Sequence, residues 1–493
     1  MTNIYNLFSS GAKLGTSFIQ DNHGNTRYSY DQFDALTSQY ANLLRTSGVK
    51  AGDRVMVQVE KSPESLLFYF ACLRFGCIYL PLNTAYKVDE LAYFINDAEP
   101  TLILCDPKSE TLFRQLSSVK ILTLDIEGRI NADLDGQAFD TADRLPDDVA
   151  VIIYTSGTTG RPKGAMISHG NIESNSKVLS KSWGWQTDDV MLHALPIYHV
   201  HGLFVGSHLP VMNGSPVIFL NRFDADEIVA LLPKSTVYMG VPTNYTRLLA
   251  QQELGKESCK NMRLFISGSA PLLTHTFNDF SERTGHTIIE RYGMSETGMN
   301  TSNPLTGTRK GGTVGPPLSG ITCRIVDDQG IQVAKNKTGH LELKGPNVFT
   351  GYWRMPEKTA AEFSPDGFFR TGDLASQDED DYISIVGRNK DLIISGGLNV
   401  YPKEIETLLD NLDGVAESAV IGLPDPDFGE AVSAVIVTDG TKKLQPTDIT
   451  AYVKEKVANF KVTKHVFFVD ELPRNAMGKV QKNKLREMFT DGT

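Results

Sequence analysis

The sequence predicts an α/β fold: a large N-terminal domain of mostly parallel sheets with flanking helices, then a small α+β C-terminal domain. Three features carry that expectation. Strand-like runs of β-branched and apolar residues recur over residues 53–293, with helical patterns between several of them, which is how parallel sheets are written in sequence. The most apolar stretch, LLFYFACLRFGCIYLPL at 66–82, reads as a buried helix running into a strand. The composition changes character near residue 388. A chain of 493 residues also exceeds the ~250–300 at which one core stops growing, so division into 1–389 and 390–493 is expected.

The strands are expected at DRVMVQVE (53–60), TLILCD (101–106), KILTLD (120–125), VAVIIYTS (149–156), STVYMGVP (235–242), RLFISGSA (263–270) and HTIIERYG (286–293). Between them VDELAYFINDAE (88–99) places Leu91, Phe94 and Ile95 on one helical face. The 66–82 stretch is interrupted by Arg74, Gly76 and Pro81, whereas a spanning helix needs ~20 mostly unbroken apolar residues. Beyond residue 388, GRNKDLIISGGLNVYPKEIETLLDNL reads as a hairpin with a Gly-Gly corner and a helix starting at Pro402. Two strands (VAESAVIGL, EAVSAVIVT), another helix and VFFVDEL complete a small unit.

With 41% hydrophobic and 22% charged residues the composition is that of an ordinary globular protein. A net charge of −11 argues against a nucleic-acid or anionic-membrane surface, while leaving room for a local basic pocket. Five cysteines, an odd number without a C-x-x-C pair, suggest neither a disulfide framework nor a thiolate zinc site. A start of MTNIYNLFSS lacks a signal-peptide layout, so a cytoplasmic location is expected.

In parallel sheets ligands gather beyond the carboxyl ends of strands, and three segments sit there. YTSGTTGRPKG, opening at Tyr154, is a glycine-dense turn whose bare N–H groups and hydroxyls suit a polyphosphate, with Arg161 and Lys163 as opposing charge. It is not a Walker A loop, because Pro162 stands where that register needs glycine. GSAP follows another strand. RYGMSET offers Glu296, either a Mg²⁺ ligand beside a triphosphate or a glutamate at a helix N-terminus. In TGD, Asp373 follows a glycine turn and could accept from ribose hydroxyls. His199 and His201 in HALPIYHVHGL are either half of a zinc site or pocket-lining histidines; no carboxylate lies near enough in sequence to complete a ligand set. LPRNAMGKVQKNKLRE, carrying Lys479, is by itself a basic solvated run.

Together, in order, YTSGTTGRPKG, the GSAPL segment, YGMSE, TGD, GRNKDLI and the late GK resemble the adenylate-forming superfamily of acyl-CoA synthetases, adenylation domains and luciferases. The resemblance implies an acyl-adenylate made from ATP and an acid, then passed to coenzyme A. It implies that Thr155, Ser156, Gly157, Thr158, Thr159, Gly160 and Lys163 wrap the β- and γ-phosphates. Gly268, Ser269, Ala270 and Tyr292 would border adenine, and Thr297 would touch the α-phosphate. Glu296, with Thr155, would hold Mg²⁺; Asp373 and Arg388 would grip the ribose. Lys479 would join carboxylate and α-phosphate, and Lys390 would be the hinge about which the small domain swings, with Ser395-Gly396-Gly397 then bordering the thiol's path. Ser295 replaces the usual threonine but keeps a hydroxyl.

Arg291 stands one residue before the tyrosine, where many fatty-acyl members have glycine. A guanidinium in an apolar pocket calls for a carboxylate, so a small-molecule dicarboxylate is expected, unless Arg291 pairs with Glu290 or Glu296 of the protein. With LPIYHVHGLF, MGVPTNYTRLL and GPNVFTGYWRMPEKT, this stretch resembles the malonyl-CoA synthetase branch, with His199 and Arg247 as helpers at the distal carboxylate, Arg247 reading equally well as a surface salt-bridge residue. A monocarboxylate ligase, a carrier-protein loader and a nucleotide-binding regulator remain alternatives.

Overall fold

The computed structural model describes residues 3–155, 162–395, 398–475 and 478–490. Among the described residues the strands form four sheets. In the first, parallel strands Arg54–Gln58, Ile78–Pro81, Leu102–Cys105, Lys120–Thr123 and Val149–Thr155 lie side by side. That sheet ends in the antiparallel pair Lys163–Ser168 and Gly351–Tyr352. The second contains parallel strands Val217–Phe219, Met191–His193, Val237–Gly240, Leu264–Ser267 and Ile289–Met294, edged antiparallel by Gly298–Ser302. The expected strands of the two parallel sheets all appear, most of them shorter than expected and the last running on to Met294.

Helix Pro63–Phe75 is buried along its whole length, which explains why its sequence is apolar on every face. Ser62 caps it by accepting from the Ser65 N–H, Pro63 opens the first turn, and Gly76 closes it at φ +78°. Strand Ile78–Pro81 follows directly, as the 66–82 reading anticipates. No helix among the described residues is long and apolar enough to cross a membrane.

The large domain is mostly parallel, as expected, and adds an antiparallel sheet of its own made by Thr322–Val326, Gly339–Lys344, Phe369–Gln377 and Ile383–Arg388. One expectation needs correction. TGD lies inside strand Phe369–Gln377 rather than in a turn; Gly372 takes φ +72° within the strand, so the chain is distorted there without reversing. The smaller C-terminal domain has strands Ile393–Ser395, Leu398–Val400, Val415–Asp425, Gly429–Thr438 and His465–Phe468, covered by helices that include Pro402–Leu409 and Pro446–Lys456. Its core of Ile393, Ile405, Val420, Ala434 and Ile449 is separate from those of the large domain.

Candidate functional site

A cleft of about 1310 Å³ runs between the second sheet's strand ends, the antiparallel sheet and the C-terminal domain. Arg291, Asp373, Arg388 and Lys479 all line it.

On one side stands Asp373, almost fully buried, with both carboxylate oxygens engaged. The Tyr292 hydroxyl donates to Oδ2 at 2.5 Å, and Arg388 Nε pairs with Oδ1 at 3.1 Å. The Asp373 N–H donates to Thr371 Oγ1, a turn back made possible by Gly372. The carboxylate raises Arg388 above its ordinary pKa, and burial followed by Asp373 raises the Tyr292 phenol.

Thr155 and Lys163 face each other in register across the hairpin that carries the glycine-dense turn. Ser156, Gly157, Thr158, Thr159, Gly160 and Arg161 lie outside the described residues, as do Gly396 and Gly397. Lys163 is buried, 4.1 Å over the Tyr352 ring and 3.4 Å from Glu362 Oε1. Glu296 does not open a helix: it sits in the turn between antiparallel strands Ile289–Met294 and Gly298–Ser302. Thr155 Oγ1 donates to its Oε1 at 3.4 Å and Tyr352 Oη to the same oxygen at 3.1 Å. Both bonds fall on Oε1, so a carboxylate oxygen and a hydroxyl lie together, the hard donors Mg²⁺ prefers. Thr297, expected at the α-phosphate, is a correction: it is fully buried, its hydroxyl donating to Gly298 O and accepting from Asn300 Nδ2.

On the other side stands Arg291, 2% exposed. Its Nε and Nη2 have no hydrogen-bond partner, and no carboxylate among the described residues forms an ion pair with it. Glu290 is engaged elsewhere, accepting from the Leu272 N–H at 3.0 Å, and Glu296 belongs to Thr155 and Tyr352. Burial drives Arg291 down to about 9. Gly268, expected beside adenine, packs against Arg291 instead: a Cβ there would lie 2.5 Å from the guanidinium carbon. Ser269 holds φ +74°, unusual for a residue with a side chain, and its hydroxyl meets His201 Nδ1 at 3.3 Å. Ala270 and Tyr292 line the cleft.

The histidines form no metal centre: no group of three His, Cys, Asp or Glu side chains able to hold an ion occurs among the described residues. His199 Nδ1 accepts from the His201 N–H at 3.2 Å. Burial, then the charges of Lys479 and Arg291, push His199 down to about 3, so its imidazole is neutral and adds no cation to a carboxylate clamp. Arg247 is exposed at the cleft rim, 6.0 Å over the Phe223 ring, instead of buried beside Arg291.

Lys479 stands between the two sides. Gly478 (φ +72°) lets the chain approach Thr243, whose hydroxyl would be 3.1 Å from any Cβ, and the Lys479 N–H donates to Asn475 Oδ1 at 3.0 Å. Burial and the Arg388 charge lower Lys479 to about 8, against the pull of Asp373 and Glu296; Arg291 adds to the lowering. Lys390 is exposed in the turn Asn389–Asp391, between the last strand of the antiparallel sheet and the first of the C-terminal one.

Sequence reasoning missed Tyr352 and Glu362, which reach Lys163 and Glu296 from far along the chain. The aromatic pair in GYW beside a strand edge was the only available signal.

Comparison with known proteins fits this geometry. Residues 13–353 match the model of the AMP-binding enzyme family and residues 404–479 that of the AMP-binding enzyme C-terminal domain. The ATP-bound MatB of Rhodopseudomonas palustris is 50% identical, with 99% of each chain covered and a TM-score of 0.96. The apo form of that protein, at 49% identity and the same coverage, gives 0.85. A malonate–CoA ligase of Arabidopsis thaliana is 33% identical over 98% of this chain and 83% of its own. A feruloyl-CoA synthase of Amycolatopsis is 33% identical over 95% of each. With a family model matching residues 13–353 and a relative 33% identical over 98% of this chain, the chain belongs to the AMP-binding enzyme family.

Proposed function

We propose that the protein is an ATP-dependent, AMP-forming ligase that converts malonate to malonyl-CoA through malonyl-adenylate. The observation that carries the choice of acid is Arg291, a buried guanidinium whose Nε and Nη2 have no partner in the protein. Overall identity does not choose: relatives named for malonate and for ferulate stand at the same 33%. An unpaired buried arginine does, because it lacks a counter-charge until a second carboxylate arrives.

In the first half-reaction a malonate oxygen attacks the α-phosphorus of ATP, and the P–O bond to pyrophosphate breaks with its electron pair leaving on pyrophosphate. Two anions must approach, and negative charge gathers at phosphorus. Lys479 answers both by standing between the arginine-lined acid side and the Asp373–Arg388 side. Asp373 and Arg388 hold the ribose, Thr155 and Lys163 the phosphate tail, while Ser269, Ala270 and Tyr292 form the wall beside the base. Glu296 and Thr155 would hold Mg²⁺, which supplies charge neutralisation on the phosphates. In the second half-reaction the coenzyme A thiol attacks the carbonyl, AMP departs, and the thiol proton passes to solvent.

For that second step the unit 390–493 turns about Lys390 as a mobile domain, withdrawing Lys479. The higher TM-score against the ATP-bound relative than against its apo form supports reading the present arrangement as the adenylating one. An extra methyl changes selectivity by only ~1–3 kcal/mol, so methylmalonate is the acid to assay beside malonate in the same pocket. The reaction suits a cytoplasmic setting, where ATP and coenzyme A are present. Malonate-dependent return of labelled pyrophosphate into ATP tests the proposal; exchange with medium-chain fatty acids and none with malonate would refute it.

A further inference from the structure

Among the residues lining the cleft is a buried lysine that none of the chemistry above uses. Lys61 follows strand Arg54–Gln58 of the first sheet and is 8% exposed. It has no carboxylate within ion-pair distance among the described residues. Its Nζ donates to three acceptors: His193 Nδ1 at 3.0 Å, His193 O at 2.9 Å and Leu220 O at 2.6 Å. The Phe219 ring lies 4.2 Å away. His193 ends strand Met191–His193 and Leu220 follows strand Val217–Phe219, so one amine ties the first sheet to two strand ends of the second.

The protons can be assigned by elimination. His193 Nε2 lies 2.9 Å from Gly202 O, which only accepts, so Nε2 carries the hydrogen. Ser207 Oγ gives its own hydrogen to the same carbonyl at 2.9 Å. Burial and the nearby lysine keep the imidazole neutral, leaving Nδ1 bare and accepting from Lys61. Three acceptors around one amine match the three hydrogens of an ammonium; a neutral amine would turn its lone pair on one of them. Burial lowers Lys61 well below its usual value, but the three acceptors and the ring face hold the proton in place.

Gly202 and Gly206 clear the space for this arrangement: a Cβ on Gly206 would lie 2.8 Å from His193 Nε2, and one on Gly202 2.2 Å from Pro196 O. The segment so anchored, His201–Val205, is wound as a single π-helical turn, a geometry that costs stability and collects at functional sites. It begins with His201, which touches Ser269, whose neighbour Gly268 packs against Arg291.

We infer that Lys61 is a positioning residue for the acid pocket, acting through His193 to fix the 201–205 turn and with it the His201–Ser269 support of Arg291. The inference rests on the reading of Arg291 as the distal-carboxylate clamp. Steady-state kinetics of the full chain with Lys61→Met, His193→Gln and the double variant test it. His193→Gln keeps a donor toward Gly202 O but has no acceptor at the Nδ1 position that Lys61 meets, leaving Lys61 its two backbone carbonyls. Each single variant should raise the KM for malonate by about tenfold to a hundredfold, with the KM for ATP within about twofold and folding intact by thermal melt. Because the two act in series, the double variant should be no worse than the poorer single one. Unchanged malonate KM, equal rises for malonate and ATP, or additive losses would each overturn the proposal. If Lys61→Met fails to fold, His193→Gln alone decides by the same KM comparison. Failure of the wild-type chain to use malonate would instead refute the clamp reading itself.

Discussion

Two arginines line the same cleft and live in opposite surroundings. Arg388 is ion-paired to Asp373, which in turn is bonded by Tyr292, and its charge is held firmly on. Arg291 is more deeply buried, has no acid and is depressed to about 9. The Asp373–Arg388 side of the cleft is internally paired; the Arg291 side is one negative charge short. A side chain satisfied by its own protein shapes a wall, whereas one left unsatisfied selects a guest.

The contrast can be attacked at the point where the two sides meet. Lys479→Ala should cost about a thousandfold in adenylate formation, measured by pyrophosphate exchange, while preformed malonyl-adenylate still reacts with coenzyme A. Equal loss in both steps would mean the lysine does not bridge the two sides in one step only.

Next in size, Arg291→Met should lower kcat/KM for malonate by the roughly 2–5 kcal/mol that attends loss of a buried charge partner, thirtyfold or more. Arg388→Met should instead raise the KM for ATP and leave malonate selectivity over propionate unchanged. If both variants shift the same parameter, the division into sides is wrong.

A smaller effect concerns pH. Lys479 works as a cation with a pKa lowered to about 8, so kcat/KM for malonate should fall as pH rises through about 8, one proton being lost. Arg388 pushes that value down and Asp373 pulls it up. Arg388→Met removes the first and leaves burial and Arg291 as the lowering influences, and should move the midpoint upward.

Smallest is a stability effect at Glu290, which burial raises from 4.5 to about 8. The folded protein binds that proton more tightly than the unfolded chain does, so the stability it contributes is complete below about 4.5 and lost as pH rises to about 8. Glu290→Gln should therefore melt progressively higher than the parent as pH increases across that window; a pH-independent difference would place the carboxyl in contact with solvent.

The fold was legible where local pattern and tertiary role coincide. Strands buried on both faces read as unbroken apolar runs, and helix Pro63–Phe75 announced its burial by being apolar all round. The antiparallel sheet around Asp373 was not legible, because its strands mix exposed and buried positions and one carries a glycine at φ +72° that imitates a turn. In the site, Arg291 could be singled out because it stands where many fatty-acyl members of the family have glycine. Tyr352, Glu362, Lys61 and His193 could not: each acts on a residue more than a hundred positions away, or through such a residue, and apart from the aromatic pair in GYW nothing in its own neighbourhood marks that. Thr297 misled because a hydroxyl in a family string says nothing about which way it is turned.

The bare backbone at Gly268 has an evolutionary corollary. With the guanidinium seated where a methyl group would fall, positions 268 and 291 cannot drift independently: an alanine arriving first would evict the arginine, while losing the arginine first leaves a hollow ready for a bulkier acid. Descent toward longer or aromatic substrates should thus begin at 291, and a protein engineer seeking a wider acceptor range would do well to take the same order.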